Sequence, residues 1–421
     1  MISSTAALLD ARDALAGLAQ EFAKPPDRIY LDGNSLGLLC RPAEAALRRA
    51  LDAWRENAIQ SWTAGPEPWF DLPRRVAGLL APLLGADADD VMVGQSTTVN
   101  LHQLLATHYD PTGIRPRVAM DIHSFPTDRY VVESHLRLRG RDLARDLIVV
   151  GTENDELLDE EEIVAAFDRD VGWALLPSVL YRSGQLLDMP RITQEARQRG
   201  VRIVWDCSHS AGVVPHRLRS DDIDFAVGCT YKYLNGGPGA AAFLYEHPRW
   251  RERAPGLAGW FGVDPARQFA MEPSFHPAAD AGRFLMGTAH IFSIAPLLGS
   301  LTLIQRAGVA ALREKSLQLT RFLREHVETR LAEWGVAVIT PAEDARRGGH
   351  LTLAHPAAGR LSKALRQRGV IPDFRPPNLL RLAPAPLYTS FAECEQAASI
   401  LHNILRTKSY EGLPEQDELV T

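Results

Sequence analysis

Between residues 91 and 228, short apolar runs alternate with stretches of helical periodicity, and this alternation limits the possible folds more than anything else in the chain. Val91-Met92-Val93, Arg117-Val118-Ala119-Met120, Leu147-Ile148-Val149-Val150, Trp173-Ala174-Leu175-Leu176, Arg202-Ile203-Val204-Trp205 and Phe225-Ala226-Val227 each read as a short buried strand. Between them, Glu160 to Phe167 and Ile192 to Arg199 carry apolar residues at the spacing of amphipathic helices. Strands this apolar leave no face for water, and their alternation with helices predicts a mostly parallel sheet covered on both sides, an α/β fold. In such sheets ligands collect at the carboxyl ends of the strands. The chemistry is therefore expected in the residues that follow each run.

Beyond about residue 296 the pattern changes. Leu297 to Glu333 reads as one long helix. From Gly335 onward come strands near Val336-Ala337-Val338-Ile339 and Leu351-Thr352-Leu353, a helix from Arg360 to Arg368, and a strand at Leu379-Leu380-Arg381-Leu382, which together predict a smaller α+β domain. The expected division is an N-terminal segment over 1–60 packing with the small domain, a large domain over 61–296, and a connecting helix plus small domain over 297–421. The polar tail, Glu411 to Thr421, is expected to lack fixed structure.

At 421 residues the chain exceeds one simple core, in keeping with a large and a small domain. A net charge of −6, with no basic stripe interleaved with aromatics, argues against nucleic acid as a partner. No apolar stretch approaches the ~18 residues of a membrane span. Met1-Ile2-Ser3-Ser4 does not begin a basic region followed by an apolar one, so no signal peptide is expected. Cys40, Cys207, Cys229 and Cys394 are scattered and never form C-x-x-C, which suits a reducing compartment and argues against a disulfide framework or a zinc site. A cytosolic location is the expectation.

Four strand ends carry candidate chemistry. Val93 leads into Gly94-Gln95-Ser96-Thr97-Thr98, whose hydroxyls and backbone N–H groups suit a phosphate at a helix N-terminus, although an ordinary N-cap has the same pattern. Met120 leads into Asp121-Ile122-His123-Ser124-Phe125-Pro126-Thr127-Asp128, where Phe125 and Asp128 could stack on a flat ring and meet its polar edge; a plain Pro-containing loop reads the same way. Trp205 leads into Asp206-Cys207-Ser208-His209. Here a carboxylate for a protonated ring nitrogen competes with a metal site, which would have two ligands and no third nearby, and with a helix N-cap. Finally, Phe225-Ala226-Val227-Gly228 runs into Cys229-Thr230-Tyr231-Lys232-Tyr233-Leu234-Asn235-Gly236-Gly237-Pro238-Gly239. A lysine at the mouth of a buried strand is costly unless paired, deprotonated or covalently bound, and desolvation makes its amine a nucleophile toward a carbonyl. A snorkelling lysine at a strand end accounts for this run equally well. The order decides: phosphate donors, ring stacker, carboxylate, and a lysine 26 residues after Asp206 follow the sequence that a pyridoxal phosphate (PLP) enzyme requires.

The motifs Leu31-Asp32-Gly33-Asn34-Ser35-Leu36-Gly37, Phe125-Pro126-Thr127-Asp128, Trp205-Asp206-Cys207-Ser208-His209, Tyr231-Lys232-Tyr233-Leu234-Asn235, Gly259-Trp260-Phe261-Gly262 and Arg381-Leu382-Ala383-Pro384-Ala385-Pro386-Leu387-Tyr388 resemble the kynureninase family and span residues 31 to 388. The resemblance implies a fold-type I PLP enzyme with a mostly parallel seven-stranded sheet and a smaller α+β domain, acting as a homodimer with shared sites. It implies hydrolytic Cβ–Cγ cleavage of L-kynurenine to anthranilate and L-alanine, in tryptophan degradation. It further implies Lys232 as the Schiff-base lysine, Asp206 as partner of the pyridine nitrogen, Phe125 as the stacking ring, and Asp128 and His209 at the ring edge. Thr97, Thr98 and Tyr231 would hold the phosphate, joined from a second subunit by Trp260 and Thr288. Arg381 would pair with the substrate α-carboxylate, Asn34 would lie near the substrate, and Tyr231 would also serve as proton donor. No metal is implied.

The chain departs from the family pattern at Pro177-Ser178, where relatives tend to place a Ser or Thr near the cofactor, and at His290, where a proline is usual. The Gly287-Thr288 pair suggests unsubstituted kynurenine, while His290 could hydrogen-bond the added hydroxyl of 3-hydroxykynurenine. One alternative is a cysteine desulfurase or selenocysteine lyase, which usually has His before the lysine and a nucleophilic Cys on a late mobile loop. This chain has Tyr231 there, and no cysteine between Cys229 and Cys394. The other is an inactive PLP fold used for binding, against which Lys232, Asp206 and Arg381 speak together.

Overall fold

The computed structural model describes residues 4–414 other than Asn154 and Arg169, so the end of the polar tail, 415–421, lies outside the described residues. In chain order the strands are β1 (Ile29–Tyr30), β2 (Val91–Val93), β3 (Arg117–Asp121), β4 (Leu147–Val150), β5 (Val171–Pro177), β6 (Arg202–Asp206), β7 (Phe225–Gly228) and β8 (Phe243–Glu246). They continue with β9 (Ala337–Val338), β10 (Leu351–Ala354), β11 (Val370–Ile371), β12 (Asp373–Arg375) and β13 (Leu379–Leu382).

Seven of these form one sheet in the order β2-β8-β7-β6-β5-β3-β4. Pairing is parallel from β4 through β7, and only β8 is reversed, lying antiparallel to both β7 and β2. The six runs read from sequence are all strands of this sheet; β8 is the seventh. Its fully buried Glu246 is held by Arg283 at 2.6 Å and His108 at 2.9 Å, which satisfies a charge that an apolar pattern would exclude. Trp173 and Phe225 stack at 5.4 Å within the core that covers this sheet.

The stretch expected to be one helix from Leu297 to Glu333 is two, Ile291–Ala307 and Val309–Leu331, bent by 77° at Gly308. Gly308 has φ +79°, a conformation that glycine adopts without strain. The first of the pair lies in the larger core, where Gly299 meets the helix Arg41–Asn57 so closely that a Cβ would stand 2.1 Å from the Pro42 backbone. The first 60 residues therefore divide between two cores. Ala43, Ala46 and Ala50 belong to the larger one, whereas Ala6, Ile29 and Leu31 pack with Leu319, Phe322, Leu380 and Phe391 in the smaller. There the antiparallel sheet β12-β13-β10-β9 is covered by Val309–Leu331, Ala358–Gln367 and Phe391–Thr407, and β1 pairs in parallel with β11.

Among the described residues no single helix is long and apolar enough to cross a membrane, and no group of three or more His, Cys, Asp or Glu could hold a metal ion.

Candidate active site

Because β8 is reversed, β2 runs in the same direction as β7, and the strands bearing the sequence motifs all end at one edge of the sheet. A cavity of about 450 Å³ opens there, lined by Asn34, Thr97, Thr98, Phe125, Asp206, His209, Tyr231, Lys232 and Arg381. Nine positions singled out in six sequence motifs thus meet in one place. The volume is ordinary for a small-molecule site.

At one end, Gln95 takes a left-handed turn (φ +59°) after β2, and its side chain ties the loop to Asn100 and to the Met286 backbone. The helix Thr97–His108 starts there with Ser96 as its cap, and Thr98 Oγ1 lies 3.0 Å from Thr127 Oγ1 at the start of the helix Pro126–Leu138. Two helix N-termini and three hydroxyls suit an anion. Phe125, at the head of that second helix, leaves 45 % of its surface exposed to the cavity.

Asp206 closes β6, and its Oδ1 accepts from the Ser208 backbone at 2.8 Å. Asp128 is fully buried, with neither carboxylate oxygen hydrogen-bonded. Burial, with Asp206 and Asp121 beside it, pushes its carboxyl well above the usual range. Lys232 Nζ lies 2.8 Å from His209 Nε2. Burial and the nearby cations Lys232 and Arg381 hold His209 well below its ordinary value, so its imidazole is neutral. The Tyr231 phenol is pushed up by Cys229 and by burial, and so keeps its proton.

The lysine loop is pinned by the N-terminal segment. Gly37 donates to the Tyr231 carbonyl at 2.7 Å, and Asn235 Nδ2 donates to the Leu38 carbonyl at 3.1 Å. A Cβ at Gly37 would stand 2.3 Å from the Lys232 carbonyl, so only glycine fits. The same segment carries Asn34 into the cavity, fully buried and with both amide atoms unpartnered.

Arg381, on β13, reaches the cavity wall from the smaller domain. Its Nε and Nη2 contact Asp373 Oδ2, its Nη1 donates to the Tyr181 carbonyl at 2.6 Å, and its Nη2 donates to Ser35 Oγ at 3.3 Å. Sequence reasoning missed Tyr181, Ser35 and Asp373. Tyr181 follows β5 by four residues, so the strand-end rule that found the other loops also points to it. Its ring meets the edge of Phe125 at 5.6 Å.

Trp260 and Thr288, expected at the cofactor only from a second subunit, and Ser178, at one of the departures from the family pattern, do not line this cavity. Trp260 is 40 % exposed, with its Nε1 donating to the Gln268 carbonyl; Thr288 is exposed, and neither lines the cavity. Ser178 is fully buried and turns away from the cavity, its Oγ 2.6 Å from Ser210 Oγ and 3.1 Å from the Asp206 carbonyl. It braces the β5–β6 strand ends and offers nothing to a ligand in the cavity.

The Asp128 carboxyl, His209 Nδ1 and the Asn34 amide are buried polar atoms without hydrogen-bond partners, and such atoms call for them; Asn34 and His209 line the cavity, whereas Asp128 does not. With an exposed ring face, an anion site, a carboxylate and a lysine amine around one cavity, the residues fit pyridoxal phosphate.

Comparison with known proteins agrees. Residues 312–401 match the family described as the kynureninase C-terminal domain. The kynureninase of Geobacillus thermodenitrificans (strain NG80-2) is 46 % identical over 412 residues, covering 98 % of this chain and 96 % of that protein. That of Bacillus anthracis is 45 % identical over 411 residues, with the same coverage of 98 % and 96 %. Among solved structures, the apo cysteine desulfurase of Thermococcus onnurineus NA1 superposes with a TM-score of 0.79 at 15 % identity, covering 93 % of this chain and 98 % of its own. The cysteine desulfurase CsdA of Escherichia coli gives 0.76 at 17 %, covering 95 % and 99 %. At that identity the desulfurases share the fold alone, whereas the identity to the kynureninases extends over nearly the whole length. The chain belongs to the kynureninase family.

Proposed function

We propose that this protein uses pyridoxal phosphate to hydrolyse the Cβ–Cγ bond of L-kynurenine, giving anthranilate and L-alanine. One observation carries the reading: Lys232 Nζ, the Asp206 carboxylate and the Arg381 guanidinium face a single cavity in a chain of this family. Thr97, Thr98 and Tyr231 would hold the phosphate, Phe125 the ring face, and Asp206, Asp128 and His209 the ring edge. When bound, the cofactor supplies an electron sink, kept effective by a protonated ring nitrogen beside a carboxylate.

The side chains do the rest. Arg381 orients the amino acid by its carboxylate, and Asn34 closes that side. Lys232 Nζ moves the proton at the substrate Cα, with His209 Nε2 as its hydrogen-bond partner. Tyr231, its phenol protonated, gives a proton to the alanine carbon after cleavage. The Gly287-Thr288 pair supports unsubstituted kynurenine over its 3-hydroxy form. A homodimer would bring Trp260 and Thr288 of one protomer to the cavity of the other. The setting would be tryptophan breakdown by the kynurenine pathway, in the cytosol.

The test is release of anthranilate from L-kynurenine by the PLP-loaded protein, set against sulfide release from L-cysteine. Sulfide without anthranilate would replace this reading with that of a desulfurase. All four cysteines are buried, which favours anthranilate. Turnover of 3-hydroxykynurenine in the same assay tests the aryl preference.

A further inference from the structure

We propose that His350, which precedes β10 in the smaller domain, is a positioning residue for Lys232: through one enclosed water it accepts the Nδ1–H of His209 and so fixes the tautomer whose Nε2 faces the lysine amine. The inference rests on the reading above, in which Lys232 moves the proton at the substrate Cα, and adds a residue to it.

The run Gly348-Gly349-His350 brings this ring toward the lysine loop. Gly349 packs so closely that a Cβ would stand 2.9 Å from Oη of Tyr233, the residue after Lys232. The Gly348 N–H donates to the Gly184 carbonyl at 2.8 Å, which ties the run to the turn that follows β5. His350 is thereby fully buried, with its ring centre 5.9 Å from that of His209 and the two planes inclined by 59°.

The ring nitrogens decide what the pair does. His209 uses Nε2 on Lys232 at 2.8 Å, and its Nδ1 is enclosed by protein with no hydrogen-bond partner among the described residues. A ligand in the cavity does not reach an enclosed atom, so a partner for Nδ1 has to come from inside. Both nitrogens of His350 are enclosed as well, and neither makes a hydrogen bond of proper geometry. The nearby Tyr181 carbonyl suits an N–H on one of them, which leaves the other as an acceptor. Burial first, and then the cations Lys232, Arg381 and Arg375, keep both imidazoles neutral. A neutral imidazole has one N–H and one acceptor, so a His209 that accepts at Nε2 carries its proton at Nδ1 and must place it somewhere. At 5.9 Å between ring centres the two rings are spaced for a bridging water. A phenylalanine would fill the same place without enclosing two ring nitrogens, which packing alone does not justify.

The test uses the full chain with isotope-labelled histidine, with and without PLP, its His209 resonances assigned through His209→Gln. In wild-type protein the ring-nitrogen resonances should show His209 protonated at Nδ1. In His350→Phe the two tautomers should mix, and exchange of the L-alanine Cα proton with heavy water, catalysed by the PLP-loaded protein, should slow about tenfold. His350→Gln offers a carbonyl acceptor and should recover the tautomer and most of the rate. Equal slowing in both variants, with His209 still protonated at Nδ1, would make His350 a packing residue and overturn the proposal. So would an exchange rate that His350→Phe leaves unchanged. Wild-type His209 protonated at Nε2 would overturn it too, and that result needs no variant to fold. Wild-type protein that exchanges the alanine proton but releases no anthranilate would defeat the kynurenine reading and leave the role of His350 standing.

Discussion

The amine of Lys232 is 2.8 Å from Nε2 of His209, and that imidazole is kept neutral by burial and by the cations around it. A neutral imidazole accepts a hydrogen bond from the amine, where a charged one would repel it. The residue that positions the lysine is thus itself held in one protonation state.

Replacing His209 by Phe removes this acceptor and should lower kcat/KM by about 100-fold, the scale of a lost proton-transfer partner. His209→Gln keeps an acceptor and should lie closer to wild type. Lys232→Ala should abolish turnover and the visible absorption that PLP gives the wild-type protein. Steady-state rates and spectra of the three variants check this; equal rates in His209→Phe and wild type would refute it.

Arg381→Ala should weaken substrate binding by more than ~2 kcal/mol. It should also destabilise the fold, by about 1–3 kcal/mol, because Asp373 loses a partner inside the wall. Arg381→Lys should keep much of the stability and recover little of the affinity, since an ammonium cannot replace the fork. Melting curves and KM values, measured together, separate the two effects.

Asp32 makes stability depend on pH. Its carboxyl is raised from 3.8 to about 6 by burial first and by Asp373 second. A raised carboxyl pKa means that the folded state binds the proton more tightly. This contribution is whole below about 4, fades as pH climbs, and is gone above about 6. The shift corresponds to about 3 kcal/mol. Asp32→Asn should therefore gain stability relative to wild type as pH rises through that window. Chemical denaturation across the range would show a flat difference if Asp32 were ionised throughout.

Ser178→Ala should cost about 1 kcal/mol of stability and leave PLP affinity unchanged, because its hydroxyl serves Ser210 and the Asp206 backbone. A tenfold loss of PLP affinity would mean that the hydroxyl reaches the cofactor after all.

Mixed dimers carrying Trp260→Ala in one chain and Lys232→Ala in the other test the shared site. Complementation restores activity in one of the two cavities if Trp260 acts across the interface. If Trp260 acts within its own chain, the mixture stays inactive.

How much of this was legible beforehand depends on the range of the interactions. Six strands and the loops after them follow from local apolar patterning, which is why Thr97, Phe125, Asp206 and Lys232 could be found from the sequence. β8 could not, because Glu246 is stabilised by Arg283 and His108, far away in the chain. The Asp373–Arg381 pair was equally hidden: the two residues face each other only once β12 and β13 pair in register. The break at Gly308 was within reach, since an interior glycine costs a helix about 1 kcal/mol, but a continuous apolar stripe outweighed it.

The clamp of Gly37 and Leu38 on the lysine loop has a consequence for the chain as it is made. The segment leading to it is itself held by partners far downstream, β1 by β11 and Asp32 by Ala383. Lys232 is synthesised when β2 to β7 are already present, yet the segment that closes over it is held by residues 370–371 and 383, made much later. The clamp on the lysine loop thus depends on residues 370–383, and a product that stops before them lacks the partners that hold it.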